Sequence, residues 1–479
     1  MSASVSERSG KEPRIETTDD ASPLGLAAPM VGDASATVYD ARLMTRTPTS
    51  RAAKSNRTAR TPIGNSELIS NINTRLILEA VRVMQPTYRA AVARRTGLKP
   101  ATLTVIVNDL IQQGLLEERS PNTGNARWGR PPLMLQVNGD VKRILAIDLE
   151  PDRIRVAVTN MLVSIQQFAE TRIDRFARPE TTCNRILKLC DQVMRGVKPS
   201  ELLGVGMSLP GLIDREQGVL ISSTNMPRWH DVPIAKTIGT HLKARVEVER
   251  SVHLAALYED WSNPQPPDSS TLVISLRTGV GSSLMHRREL YVGNMGFDGE
   301  IGHTVIDVNG LPCECGSRGC LETFVSATAI CERAQKLIAA GRAQQLAREV
   351  SPDNPLTPEM IYRLAKDGDA DCAEVVREIG RYLGIAIANL INLFAPNHVV
   401  ICGSIDMAED LLLHAVKDQV AKSALPRTRE KVTITLAREK EKLPLLGAAV
   451  LIARKVFALP RLSHNVATLQ RAVDPRTGV

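Results

Sequence analysis

Three cysteines and one histidine carry the most specific chemistry in this chain of 479 residues. In the stretch from Gly299 to Glu322, GEIGHTVIDVNGLPCECGSRGCLE, the residues Cys313, Cys315 and Cys320 follow a C-x-C-x4-C spacing, and His303 stands ten residues before the first. Three thiolates and an imidazole make a closed tetrahedral shell for structural zinc, with no position left for a catalytic water. Gly316 and Gly319 permit the tight backbone that such closely spaced thiolates need. A disulfide would strand one thiol and needs an oxidising compartment, so zinc is the better reading. Reduced, unligated thiols in a glycine-rich loop are the alternative.

The same stretch carries a family resemblance. G-E-I-G-H followed by C-x-C-G-x-x-G-C-L-E resembles the signature of the ROK family, which joins repressors, open reading frames and sugar kinases. The resemblance implies zinc on His303, Cys313, Cys315 and Cys320, and sugar contacts from Glu300, His303 and Glu322. It does not separate repressor from kinase. Upstream, G-M-S-L-P-G-L-I-D (206–214) is similar to the family's G-x-S-x-P-G-x-V-D segment near the sugar. By that likeness Gly211 belongs to the ligand site, and Asn225 supplies a further polar contact.

Departures from the family pattern bear on catalysis. ATP-using relatives carry D-x-G-G-T in the first hairpin, where small residues let backbone amides cradle phosphate. Here Asp148 is followed by Leu149, Glu150, Pro151, Asp152 and Arg153. Both glycines are gone, a proline removes a donor, and two carboxylates would repel phosphate. Family kinases bind sugar hydroxyls with an Asn-Asp pair whose Asp acts as general base. Aligned on Glu249 and Ala255-Ala256-Leu257, this chain has Arg250 and Ser251 at those positions. A serine hydroxyl has no proton affinity for that task near neutrality. His253 is a nearby imidazole, but a lone histidine at a helix start is more often a packing or surface residue. R-T-G-V-G-S-S (277–283) matches a second phosphate loop only weakly, with Arg277 and Ser283 in place of glycines. The expectation is a sugar-kinase-like body with no catalytic residue. Arg250 opens two further readings of the cleft: it takes a phosphorylated or acidic sugar, or it binds no sugar at all and Arg250 is simply paired to Glu249 or Glu300.

The elements that must position these residues follow from length, charge and periodicity. The chain is long enough for two or three domains, and its cores must be aliphatic, since aromatic residues make up only 3%. It holds no run of about 18 apolar residues and no secretory leader, and its eight cysteines suit a reducing cytoplasm. Between Arg42 and Arg143 there are 17 Lys+Arg against 6 Asp+Glu, a local +11 within a net +8. A basic segment on a mildly acidic body suggests a nucleic-acid-binding module. Within it, NINTRLILEAVRVM, TYRAAVARRTGL and KPATLTVIVNDLIQQGLL read as three helices, the second closed by Gly97 and the third with Pro100 in its first turn. Leu103, Ile106, Val107, Leu110 and Ile111 form the buried stripe of the third helix. Lys99, Ala101, Thr102, Thr104 and Asn108 lie opposite, able to reach phosphates and base edges in a major groove. Two strands around a polar loop follow, a wing with Arg127 and Arg130 near its tip. This unit resembles the winged helix-turn-helix of ROK repressors.

The expected organisation is α/β. Residues 1–65 form a disordered polar tail and 66–140 a winged helix-turn-helix. A two-lobed, actin-like (ribonuclease-H-like) ROK domain follows, with lobe 1 over 141–265 completed by a helix at 443–459. Lobe 2, with the zinc loop, spans 266–442, and 460–479 is a tail. The resemblance implies a cytoplasmic transcriptional regulator, a repressor, that binds a double-stranded DNA operator as a homodimer or homotetramer. It would respond to a sugar or sugar-phosphate effector without kinase activity. A sugar kinase with an appended DNA-binding domain is one alternative, and a ligand-independent regulator that docks a protein partner is the other.

Overall fold

The computed structural model of the chain describes residues 66–120, 133–277, 279–293, 296, 298–403, 409–438 and 442–457. Arg127 and Arg130, like the expected terminal tails, lie outside the described residues.

The helical spacing of the basic segment yields α1 (Ser66–Met84), α2 (Arg89–Thr96) and α3 (Pro100–Gln112). Gly97 closes α2 in the left-handed region at φ 71°, a conformation that costs glycine little. Ile77, Val81, Val92, Leu103, Val107 and Leu110 are buried together. Each is worth about 1.5–3 kcal/mol relative to exposure. The antiparallel pair β1 (Leu116–Arg119) and β2 (Met134–Val137) adds Leu116 and Leu135 to the same core.

Two five-stranded sheets follow. In the first, β3 (Arg143–Leu149), β4 (Arg153–Asn160) and β5 (Ile165–Arg172) form an antiparallel meander. After α4 (Pro179–Val193), β6 (Leu202–Leu209) pairs parallel with β3. A small antiparallel sheet, β7 (Leu212–Asp214), β8 (Val219–Ser222) and β9 (His230–Val232), leads into α5 (Ile234–Leu242). Then β10 (Val246–Arg250) pairs parallel with β6, and α6 (Ser251–Ser262) begins at once. The strand order is β10-β6-β3-β4-β5. Strands β3 and β4 are buried along almost their whole length, β3 with a mostly apolar run and β4 with Arg155, Thr159 and Asn160 buried among its apolar residues.

The second sheet has the order β13-β12-β11-β14-β15. Its strands are β11 (Ser270–Leu276), β12 (Val280–His286), β13 (Glu289–Leu290), β14 (His398–Gly403) and β15 (Thr433–Leu436). Between β13 and β14 come the cysteine loop and then α7 (Glu322–Val325), α8 (Ala327–Ala339), α9 (Gln344–Glu349), α10 (Pro358–Lys366) and the long α11 (Ala370–Phe394). Next, α12 (Glu409–Ser423) packs on α11, α13 (Pro426–Arg429) is one turn, and α14 (Leu443–Phe457) ends the described chain. No described helix is long and apolar enough to cross a membrane.

Helices α6 and α14 lie against each other in one core that also takes in residues of both sheets and of α1–α3. The approach is close: a Cβ on Gly447 would meet the Leu254 carbonyl oxygen at 2.0 Å, so only glycine fits there. At the C-terminal end of α6, Arg82 of α1 stacks 3.7 Å over the Trp261 ring and donates to the Trp261 carbonyl. Trp261 meets Phe457 edge to face, and Arg288 pairs with both Asp260 and Glu79. The three-helix unit and the sheets are therefore joined by a mixed apolar and ionic contact.

Candidate ligand cleft and metal centre

The cysteine loop folds as its spacing requires. Ile301–His303 is a single 3-10 turn, and the chain then doubles back through bridges between Val305 and Cys320 and between Pro312 and Arg318. Gly319 sits at φ 66°, where a Cβ would fall 1.6 Å from the Asp307 carbonyl oxygen. Ligand atoms of His303, Cys313, Cys315 and Cys320 all lie within 4.8 Å of one another. Cys313 Sγ is 3.7 Å from His303 Nδ1, and Cys315 Sγ is 3.7 Å from Cys320 Sγ. A tetrahedron with metal–sulfur bonds of about 2.3 Å has an edge of about 3.8 Å, so the donors stand at the spacing of a coordination shell. Burial, and hydrogen bonds to the Cys315 and Cys320 sulfurs, push the Cys313 thiol up to about 12. The Ser317 amide holds Cys315 below its ordinary value. Three adjoining thiols ionise together only with a cation among them; the site fits a metal ion. Cys331 hydrogen-bonds the Leu356 carbonyl instead, and Cys183 and Cys190 are buried packing thiols on α4.

Next to this loop a cavity of about 130 Å³ opens between the two sheets. Its wall includes every sugar contact expected from the sequence: Glu300, His303, Glu322, Gly211 and Asn225. With Nδ1 turned to Cys313, His303 Nε2 lies 4.0 Å from Glu300 Oε2, so the metal loop and the cavity share that ring. Glu322, the first residue of α7, accepts the Val280 amide at 2.9 Å. A Cβ on Gly279 would lie 3.0 Å from Glu322 Oε2 and 3.2 Å from Asn225 Nδ2, so those two side chains converge on one spot. Gly211 takes φ 105° against the Ser222 carbonyl, which fixes the turn beneath the cavity. A wider groove of about 760 Å³ runs along α5 and β10 and holds none of these residues.

Two ionic clusters border the cavity; of their pairings the sequence reading reached only that of Arg250 with a glutamate. At the first, Glu150 accepts from Arg155 at 2.6 Å and pairs with Arg277 at 2.7 Å; fully buried Asp148 faces the same two guanidinium groups at 3.6 Å. Burial pushes Glu150 up to about 7 against the pull of Arg277. The turn between β3 and β4, where the family resemblance would place a phosphate loop, thus holds two carboxylates paired with two arginines.

The second cluster surrounds the start of α6. The Arg250 guanidinium donates to the carbonyls of Gly296 and Asp298 and pairs with Glu300. His253 is wholly buried, with Nδ1 2.9 Å from Glu249 and Nε2 2.8 Å from Asp298, and Arg215 pairs with Glu249 at 2.7 Å. Burial alone would lower His253, but the bonds to Asp298 and Glu249 outweigh it and raise its pKa. Burial would likewise raise the two carboxylates, and the His253 bond holds both below their ordinary values. A protonated ring makes three cations, Arg215, Arg250 and His253, face three anions, Glu249, Asp298 and Glu300. Arg215 Nη2 also lies 3.0 Å from Nδ1, but on an imidazolium that nitrogen donates to Glu249. Sequence reasoning treated His253 as a lone residue: Asp298 stands 45 positions away, and Glu249, though only four positions away, lies on the preceding strand rather than on the same helix.

On α3, Lys99, Ala101, Thr102, Thr104 and Asn108 are all exposed. Thr104 caps back onto the Pro100 carbonyl, and Asn108 accepts from Arg89, which pairs with Glu118. Val105, 69% exposed on the same face, was passed over by pattern reasoning because it lies outside the buried stripe.

Paired sheets of equal strand order, a cleft between them and a Cys3His loop at its edge define a two-lobed α/β protein of the ROK type. The chain belongs to the ROK family, whose model matches residues 144–455. It is 27% identical over 405 residues to the xylose repressor of Caldicellulosiruptor bescii, covering 83% of this chain and 99% of that one. It is 34% identical over 257 residues to a glucokinase of Halalkalibacterium halodurans, covering 53% of this chain and 78% of the kinase. Among solved structures it resembles a ROK family transcriptional regulator, a homolog of the Escherichia coli MLC protein, with TM-score 0.67 and 25% identity over 81% of this chain and 98% of that one.

Proposed function

We propose that the protein is a sugar-responsive, DNA-binding transcriptional repressor of the ROK family that has no kinase activity. The observation that supports this reading is a unit of three helices and an antiparallel strand pair packed on the ROK body with the outer face of α3 exposed, which we read as a winged helix-turn-helix. Lys99, Thr102, Thr104 and Asn108 on that face meet phosphates and base edges, Ala101 and Val105 suit thymine methyls, and Arg127 and Arg130 serve the wing. The xylose repressor likeness covers 99% of that repressor, which supports a regulator more than a free-standing enzyme. The head spans 66–140, lobe 1 spans 141–265 with 443–459, and lobe 2 spans 266–442.

The body lacks what phosphate transfer needs. Ser251 stands where a general base is required, and the Asp148–Glu150–Arg155–Arg277 quartet fills the phosphate end of the cleft. His303, Cys313, Cys315 and Cys320 would hold a zinc ion, which would serve structure by fixing the loop that bears Glu300, His303 and Glu322 at the cavity wall. A sugar or sugar derivative contacting Glu300, His303, Glu322, Gly211 and Asn225 would favour one lobe arrangement and so one placement of the heads. The active form is a cytoplasmic homodimer or homotetramer on a pseudo-palindromic operator.

The test is operator binding by the zinc-loaded protein on DNA from its own upstream region, with a sugar and sugar-phosphate panel and ATP turnover followed in the same samples. Salt-sensitive binding relieved by one compound, and weakened at least about tenfold by Asn108→Ala, is expected. Sugar-dependent ATP hydrolysis without specific DNA binding would overturn this reading in favour of a kinase.

A further inference from the structure

The side chain of Arg250 is only 9% exposed, whereas that of its partner Glu300 is 49% exposed. One end of the guanidinium, Nη1, is pinned by the carbonyls of Gly296 and Asp298; the other, Nη2, lies on Glu300. The cation is therefore fixed and the anion loose. A ligand group that reaches Nη2 must take the place of Glu300 Oε1 there. If that group is neutral, Nη2 is left in a buried position without a counter-charge, which is costly. An acid group restores the counter-charge, and the half-exposed Glu300 is freed to accept from the hydroxyls of the same ligand.

The rest of the wall suits the hydroxylated part of such a ligand. Asn225 and Glu322 converge near Gly279, and His303 lies beside them. The other carboxylates do not repel an anion strongly, because Glu150 is matched by Arg155 and Arg277, and Glu322 accepts the Val280 amide. Ser251 lines the cavity next to Arg250 with a hydroxyl that can donate to the same acid group. We propose that Arg250 makes this cleft selective for a sugar bearing a carboxylate or phosphate over the neutral parent sugar. This rests on the effector reading above and names the ligand class for the same site.

Calorimetric titration of the full-length, zinc-loaded protein with matched pairs tests it: glucose against glucuronate, galactose against galacturonate, and glucose against glucose 6-phosphate. The wild type is expected to bind one acidic member about tenfold to a hundredfold more tightly than its neutral parent, the range of a charge-assisted hydrogen bond. The uronate and phosphate arms separate the two anions. Arg250→Asn should abolish that preference, and Arg250→Lys, which keeps the charge without the fork, should retain part of it. Zinc content and circular dichroism establish that each variant is folded. Equal affinity of the wild type for acid and parent, or an undiminished acid preference in Arg250→Asn, overturns the selectivity and leaves the effector reading standing. If neither the wild type nor Arg250→Asn binds any member of the panel, the effector reading falls and the selectivity falls with it.

Discussion

Replacing His253 by leucine removes the cation that two buried carboxylates share. His253 is wholly buried, and both of its ring nitrogens are bonded, to Glu249 on β10 and to Asp298 before the metal loop. In the variant Glu249 keeps Arg215, while Asp298 keeps the Gly293 amide and loses its imidazole. Breaking a buried pair from one side costs about 3–5 kcal/mol; with Arg215 still on Glu249, the lower end, about 3 kcal/mol, is expected. The pH dependence identifies the cause. The folded pKa of His253 is raised, so its contribution is fully present below the ordinary value of 6.5 and is lost as pH rises through the raised value. The gap between wild type and variant should therefore be widest near pH 6 and narrow at alkaline pH. Urea unfolding followed by the fluorescence of buried Trp229 and Trp261, at a series of pH values from 6 to 9, measures it. A variant within about 0.5 kcal/mol of wild type at pH 6, the spread of ordinary surface substitutions, would refute the proposed charge on His253. So would a gap that does not change with pH.

Two further outcomes are expected. Chelating the metal, or Cys320→Ser, should expose the 304–320 loop to protease and weaken ligand binding together, because His303 belongs to both the donor cluster and the cavity wall; an apo protein that keeps full ligand affinity would separate the two roles. Gly447→Val should destabilise by about 3 kcal/mol or more, since its Cβ would overlap the Leu254 carbonyl and push α14 off α6. A melting temperature equal to that of wild type would show that the two helices part without cost.

What was legible in the sequence was local. Cys313, Cys315, Cys320 and His303 fall within eighteen positions, so their spacing alone reported their convergence, and the donors do come together. The stripe of α3 was legible because burial repeats at a fixed period along one helix, and the β3–β4 hairpin because two apolar stretches flank a Glu-Pro-Asp turn. The ionic clusters were not. Glu150 and Arg277 come from different sheets, and neither belongs to any repeating pattern. Arg82 on Trp261 is likewise a single contact between distant segments, and no periodicity announces it. The sequence showed Arg250 as a departure from the family pattern and allowed Glu249 or Glu300 as its partner. Geometry assigns the guanidinium to Glu300, while Glu249 accepts the Arg250 backbone amide.

The quartet that fills the phosphate end also says something about symmetry. Each sheet begins with a central strand, β3 or β11, and each strand turns back into an antiparallel neighbour at the cleft. Glu150 is the first residue after β3 and Arg277 the first after β11, so the two occupy equivalent places in two halves of like topology. Identical charged residues there would bring like charges together. Instead the two equivalent positions carry opposite signs, and their residues bind each other at 2.7 Å. The two halves of the body thus behave as an internal heterodimer, whose mating surface is keyed by charge at the point where the symmetry is broken.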